Sequence, residues 1–312
     1  MQPLFDRIET AGHIVLIAHR NPDADSLGSA SAFYGYLLRL QKKVTFFCIS
    51  ERIDPNTNYL PWCDKITHRF PETAELAIAF DCGSASRLGV EVGCELVNID
   101  HHSGNEGYGD VDIIDVSAIS TTQVVYDLFK GAGISINAKM ATALYAGLLD
   151  DSAGFTVHKT DRRAFEMAAD LAGCGADIAL CNRCLMQTLP LGALRLKGAM
   201  FRELRLLNGG RVAYLYVDRE MLEAAGAHPA ACEGPLEESL HLPTVETAIL
   251  LRENRDGSLK GSLRSRSSAD MAQIAAAFGG GGHAHAAGFE VFGEDADRVL
   301  QRLLHFLDKE TV

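Results

Sequence analysis

Nowhere in the 312-residue chain do apolar residues run on for the roughly 18 positions that a membrane-spanning helix needs. Residues 1–6 also lack a basic segment leading into an apolar one, so the expected location is the cytoplasm. Cysteines are few and scattered, at positions 48, 63, 82, 94, 174, 181, 184 and 232, which excludes a dense disulfide framework and predicts reduced, buried thiols. Cys181 and Cys184 form a CxxC, but zinc would require two further ligands and only Cys174 lies close. Positive charge is in short supply, with 29 Lys and Arg against 41 Asp and Glu and a net charge of −12. Such a chain is poorly suited to neutralising many phosphates along a long duplex. A short anionic substrate, met by a few local charges or by metal ions, is compatible with it. There is no internal repeat, and no low-complexity tract beyond Gly279 to Gly282. The single tryptophan, Trp62, has no companion rings of an aromatic platform and is expected to pack in the core.

What is present is a regular alternation. Residues 13–18, 44–49, 76–80 and 95–99 are short apolar runs, each ending near a polar or Gly-rich segment. Apolar residues at helical spacing fill 26–40, 121–129, 138–149 and 161–172. Strands alternating with helices predict an α/β fold built on a mostly parallel, doubly wound sheet. The most linker-like segment is Leu189-Pro190-Leu191-Gly192, which divides the chain into a domain over 1–185, a linker over 186–200 and a domain over 201–312. In the second part, 212–217, 245–251, 259–263 and 289–292 read as strands, and 218–225, 269–278 and 294–307 as helices, giving a smaller α/β domain.

The acids and imidazoles fall where open α/β sheets place their ligands, at the carboxyl ends of the strands. After the first strand come His19, Asp23 and Asp25; after the third, Asp81; after the fourth, Asp100, His101 and His102; and at the end of a helix, Asp150 and Asp151. One Asp beside Pro or Gly is usually a turn former or a helix cap. Carboxylates gathered from all these points into one crevice would repel each other and rise in pKa unless cations neutralised them. Carboxylate and imidazole without thiolate favour Mn²⁺ or Mg²⁺ over zinc, and there are enough ligands for two ions. Paired ions of that kind serve phosphoester hydrolysis. In the second domain, Arg252, Arg255, Lys260, Arg264 and Arg266 lie along a predicted hairpin, and Gly279-Gly280-Gly281-Gly282-His283 follows the next helix. Arginine holds phosphate bidentately and a glycine run lets backbone N–H groups approach it, so these residues are expected to bind an anion, with the site in the cleft between domains.

These motifs resemble the DHH phosphoesterases, whose name matches Asp100-His101-His102. His19-x-x-x-Asp23-x-Asp25 is similar to the first family motif, Asp81-Cys-Gly-Ser-x-x-Arg87 to the second and Asp151-Ser-Ala-Gly-Phe155 to the fourth. Gly280-Gly281-Gly282-His283 with Gly288 resembles the signature of the associated DHHA1 domain, so the likeness covers nearly the whole chain. A chain of this length holding only these two domains resembles the nanoRNase/pAp phosphatase group. That resemblance implies cleavage of very short oligoribonucleotides to mononucleotides, removal of the 3′-phosphate of 3′-phosphoadenosine 5′-phosphate, two Mn²⁺ ions (or Mg²⁺ or Co²⁺) and a homodimer. It further implies His19, Asp23, Asp25, Asp81, His101 and Asp151 as metal ligands, with Asp81 bridging. His102 would contact the scissile phosphate or leaving oxygen and Asp100 would orient an imidazole. Arg264, Ser265, Gly280, Gly281, Gly282 and His283 would hold the terminal phosphate or nucleotide.

Two departures matter. Ala153 stands where the fourth motif usually has Gly, and Asp150 competes with Asp151 as the ligand. A pyrophosphatase would lack the GGGGH segment, and a long-DNA exonuclease would need further domains. A phosphodiesterase of cyclic or linear dinucleotides stays open as an alternative, as does a nucleotide-binding regulatory protein without turnover.

Overall fold

A parallel sheet covered on both faces needs apolar residues at successive positions, and the runs at 13–18 and 76–80 supply them: every residue in both is buried. The computed structural model describes residues 2–310. It divides into two units, one reaching Thr188 and the other starting at Leu189.

The first unit contains α1 (Gln2–Thr10), β1 (His13–Ala18), α2 (Ala24–Arg39), β2 (Lys43–Cys48), β3 (Ile66–Thr67), β4 (Leu76–Phe80), β5 (Glu95–Asp100) and β6 (Val111–Ile114). It continues with α3 (Thr121–Gly131), α4 (Ala138–Asp151), α5 (Arg162–Gly173) and α6 (Ile178–Cys181). Its strands pair in parallel in the order β3-β2-β1-β4-β5-β6. Winding reverses between β1 and β4, the place where such sheets open a crevice for ligands. Alternate residues of β1 face opposite ways, as strand geometry requires. Ile14 and Leu16 join a core with Leu27, Phe33, Val125, Phe129, Leu144 and Leu148 from α2, α3 and α4. Val15 and Ile17 point to the other face and pack with Phe47, Ala77, Ala79 and Leu88.

The second unit contains α7 (Leu191–Arg202), β7 (Arg205–Leu207), β8 (Val212–Val217), α8 (Arg219–Ala225), α9 (Glu233–Ser239), β9 (Thr247–Glu253) and β10 (Leu259–Ser265). It ends with α10 (Met271–Ala276), β11 (Gly281–His283), β12 (Ala286–Val291) and α11 (Ala296–Glu310). Its sheet runs β11-β12-β10-β9-β8-β7; β8 and β9 are parallel and the other pairs antiparallel. Ile249, Leu251 and Leu263 meet Ile274, Val299 and Leu303 on one face. Ala248 and Leu250 meet Leu196, Met200, Leu222 and Leu236 on the other.

Two sequence expectations change here. The stretch 186–200, expected to be a linker, is helical from Leu191 onward: Pro190 precedes the first turn, and Leu196 and Met200, four apart, bury one face. Gly281–His283, expected as a loop, is an edge strand paired with β12. A methyl on Gly280 would sit 2.2 Å from the carbonyl oxygen of Gly288, and Gly282 holds φ at +147°. Gly280 and Gly282 are therefore demanded by close strand packing and backbone conformation, whatever else the run does.

Phe33 of α2 is fully buried and its ring lies 5.1 Å from that of Phe80 and 4.9 Å from that of Phe129. Phe33→Ala should lower unfolding stability by about 3–5 kcal/mol, read from the midpoint shift in a urea titration at constant slope.

Candidate metal centre at the carboxyl end of the parallel sheet

The end of β1 delivers His19, whose Nδ1 donates to the carbonyl of Arg20 at 2.9 Å. A carbonyl can only accept, so Nε2 carries the lone pair when the ring is neutral. That nitrogen faces Asp81 Oδ2 at 3.4 Å and Asp23 Oδ2 at 3.6 Å. Asp23 is also the cap of α2, its Oδ1 accepting from the Ser26 amide at 3.0 Å. One carboxylate thus closes a helix with one oxygen and faces an imidazole with the other. Burial disfavours protonation of His19, yet its contacts with Asp23 and Asp81 outweigh this and push the pKa up to about 9. Without a metal, a proton supplies the positive charge that this corner demands.

The end of β5 repeats the arrangement. His101 Nδ1 lies 3.3 Å from the carbonyl of Ala118, which leaves Nε2 facing Asp151 Oδ2 at 3.1 Å and Asp81 Oδ1 at 3.5 Å. Asp81 follows β4 with φ at +59°, a left-handed conformation that costs energy in a residue with a side chain. It is 3% exposed, and its two oxygens address different imidazoles. Burial raises its pKa against the pull of His19.

Asp25, in the first turn of α2, is fully buried and reaches the first turn of α3. Its Oδ2 accepts from the Thr121 amide at 2.6 Å, and its Oδ1 from the Thr122 amide at 2.8 Å and hydroxyl at 2.7 Å. The amino end of a helix suits a carboxylate. Even so, burial first and then Asp151, Asp81 and Asp23 drive its pKa well above the ordinary value. The ligand atoms of His19, Asp23 and Asp81 lie within 4.8 Å of one another, as do those of Asp25, His101 and Asp151. Lone pairs of two imidazoles opposed to carboxylates, with Asp81 between them, fit two divalent cations bound by hard and borderline donors.

Asp100 and His102 play another part. Asp100 Oδ1 accepts from His102 Nδ1 and the His101 amide, both at 2.7 Å, and Oδ2 accepts from Asn105. Burial works against this carboxylate, but the hydrogen bonds from His102 and Asn105 prevail and hold its pKa down at about 2. The bond from Asp100 raises the pKa of His102, whose side chain is 44% exposed. Its second nitrogen carries the lone pair when the ring is neutral and a proton when the ring is charged, the form that Asp100 favours.

Asp150 joins neither group. Its Oδ2 accepts from the Ala24 amide at 3.1 Å, and burial together with Asp23 pushes its pKa up to about 6. Arg87, which closes the second motif but was given no role from sequence, and Thr121, Thr122 and Asn105, which were not singled out, complete the centre. Arg87 Nη2 lies 3.0 Å from His19 Nδ1, and Thr121 Oγ1 donates to Asp81 at 3.0 Å. The sequence signal was a Ser-Thr-Thr run at a helix start, which also reads as an ordinary cap.

In the second unit two members of the expected basic stripe, Lys260 and Arg264, are paired with acids, and a third, Arg266, is tied to backbone carbonyls. Arg264 Nη2 donates to Glu233 at 2.9 Å and its Nε lies 3.4 Å from Glu237. Lys260 Nζ is 3.5 Å from Glu233, and Arg266 donates to the carbonyls of Leu240, Leu242 and Pro243. Ser265 is buried, bonded to the Glu246 carbonyl at 3.3 Å and to Ser267 at 2.9 Å, while Gly281, Gly282 and His283 are exposed on β11.

The comparisons agree with this architecture. The model of the DHH family, N-terminal domain, matches residues 13–148, and that of the DHHA1 domain matches residues 209–309. A Thermus thermophilus protein named bifunctional oligoribonuclease and PAP phosphatase NrnA is 31% identical over 96% of this chain and 90% of its own. The protein of the same name from Bacillus subtilis is 25% identical over 93% of each. An exopolyphosphatase-related protein from Bacteroides fragilis shares the fold, with a TM-score of 0.88 and 23% identity over 99% of this chain and 95% of its own. The chain belongs to the DHH phosphoesterase family. Among the described residues no helix is long and apolar enough to cross a membrane.

Two substitutions probe the centre. A methyl on Gly147 would lie 2.5 Å from Asp25 Oδ1 and from Thr122 Cγ2. Gly147→Ala should weaken divalent-cation binding about tenfold or more in a calorimetric titration, by displacing that carboxylate. Ala153 has φ at +45° just beyond Asp151, so Ala153→Gly should raise stability by about 1 kcal/mol in denaturant unfolding.

Proposed function

We propose that this enzyme hydrolyses very short oligoribonucleotides to mononucleotides, removes the 3′-phosphate of 3′-phosphoadenosine 5′-phosphate, or does both. The observation that carries the reading is the paired arrangement around Asp81: two imidazole nitrogens, each opposed by carboxylates, on either side of one buried acid. The substrate class is supported by the names of the Thermus and Bacillus relatives, which the chain matches along almost its full length.

In this reading His19, Asp23 and Asp81 would hold one cation, and Asp25, His101 and Asp151 with a share of Asp81 would hold the other, with Mn²⁺ preferred and Mg²⁺ or Co²⁺ as substitutes. Two such ions supply Lewis acidity that makes water a nucleophile at neutral pH and offsets charge on the phosphoryl oxygens. Thr121 and Thr122 fix Asp25, and Thr121 also fixes one oxygen of Asp81, so the ligands are held before substrate arrives. Asp100 holds the His102 ring by Nδ1 and favours its protonated form, in which the other nitrogen carries the proton that would pass to the leaving oxygen. Arg264, Ser265, Gly280, Gly281, Gly282 and His283 take a substrate phosphate, which competes with Glu233 and Glu237 for the Arg264 guanidinium.

The test is turnover by the metal-stripped chain resupplied with Mn²⁺, offered a diribonucleotide, a longer RNA, 3′-phosphoadenosine 5′-phosphate, a cyclic dinucleotide and pyrophosphate side by side. We expect mononucleotides from the diribonucleotide or phosphate from the bisphosphate. Asp81→Ala should cut that rate by about 10³-fold or more, equivalent to about 4 kcal/mol of barrier, with the fold intact by circular dichroism. Turnover of the cyclic substrate or pyrophosphate alone would overturn the substrate class. Absence of any turnover would favour a nucleotide-binding regulator.

A further inference from the structure

Helix α4 ends in two consecutive aspartates, and successive residues on a helix point about 100° apart. They cannot serve one point in space. Asp151 turns to His101, at 3.1 Å. Asp150 turns to α2, where its Oδ2 accepts the amide of Ala24 at 3.1 Å. Ala24 is the first residue of α2, fully buried, and lies between Asp23 and Asp25. Its N–H is one of those that a helix cannot satisfy internally, and an unmet buried amide is costly. Asp23 spends its own capping oxygen on Ser26, so the Ala24 amide depends on a partner from elsewhere in the fold.

We propose that Asp150 is a positioning residue for the metal centre. Its bond to Ala24 ties the end of α4, which carries Asp151, to the turn that carries Asp23 and Asp25. The bond thereby sets the distance between the His19, Asp23, Asp81 group and the Asp25, His101, Asp151 group. This rests on the metal-centre reading above. It assigns Asp150 a role through the backbone of its neighbours, with no direct contact to a cation or to substrate. A carboxylate suits that role because a charged acceptor makes the stronger bond.

The test is Mn²⁺ binding by the full-length chain, followed by the paramagnetic resonance of free Mn²⁺ with no substrate present. Three single variants and one double variant are compared with the parent. Asp150→Asn keeps a carbonyl oxygen to accept the Ala24 amide and should bind Mn²⁺ within about threefold of the parent. Asp150→Ala should bind about 10–100-fold more weakly, the usual scale for losing a group that orients a ligand. Ala24→Pro removes the N–H from the other side. Proline suits the first helical position, and Asp23 before it is already extended, with φ −98° and ψ −172°. It should weaken binding as Asp150→Ala does, and the two changes combined should cost little more than either alone.

Parent-like binding in both Asp150→Ala and Ala24→Pro would overturn the proposal. So would an Asp150→Asn variant as weak as Asp150→Ala, since that result would make the charge itself the ligand. If Asp150→Ala does not fold, Ala24→Pro decides alone. A parent chain that binds no Mn²⁺ would remove the metal centre and the proposal with it. A chain that binds Mn²⁺ as described but leaves the oligonucleotide and bisphosphate intact would fault the substrate assignment only.

Discussion

Everything at the metal centre depends on how closely α2 and α4 approach. A methyl on Gly28 would stand 2.4 Å from the carbonyl oxygen of Ala143, and one on Gly147 would strike the carboxylate of Asp25. Neither helix could come so near the other with an ordinary side chain at those positions. The contact brings the amino end of α2, with Asp23 and Asp25, to the carboxyl end of α4, with Asp151. Neither element can supply this set of acids alone, and the sheet between β1 and β5 adds the imidazoles and Asp81 from a third direction.

That geometry works against simple electrostatics, since acids from separate segments share a buried volume. The fold compensates in three ways. The first turn of α3 offers its amides to Asp25, the hydroxyl of Thr121 steadies Asp81, and the imidazoles of His19 and His101 stand opposite carboxylates. Asp100 differs because the hydrogen bonds from His102 and Asn105 outweigh burial and hold its pKa down at about 2, whereas burial and the neighbouring acids raise those of Asp25 and Asp81. The second unit shows the same economy of charge with opposite sign: the guanidinium and ammonium groups of β10 are answered by Glu233 and Glu237.

Much of this was legible in the sequence because the strands announce themselves. Runs such as 14–18 and 76–80 are apolar throughout, and the residue following each is forced to the sheet's open end, where His19 and Asp81 stand. Helix α7 was hidden because Pro190 and Gly192 look like a turn, while the residues that bury it, Leu196 and Met200, gain meaning only from the sheet they cover. Strand β6 escaped notice as a short, half-buried edge strand. The supporting residues were harder still. Thr122 acts through its backbone amide as well as its hydroxyl, Asn105 reaches Asp100 from a loop, and Asp150 differs from Asp151 only by its angle on the helix. Which of two adjacent acids faces a site is a question of rotation, and sequence records only their order.

At the far end of the α2–α4 contact sits Trp62, the chain's one tryptophan. A methyl on Gly35 of α2 would touch its ring at 2.5 Å, and Lys139 in the first turn of α4 places its ammonium 5.6 Å from the ring. A single indole is thus wedged against the same pair of helices whose opposite ends carry Asp25 and Asp151. The seat of that one indole and the reach of the metal centre are therefore set by the same helix spacing.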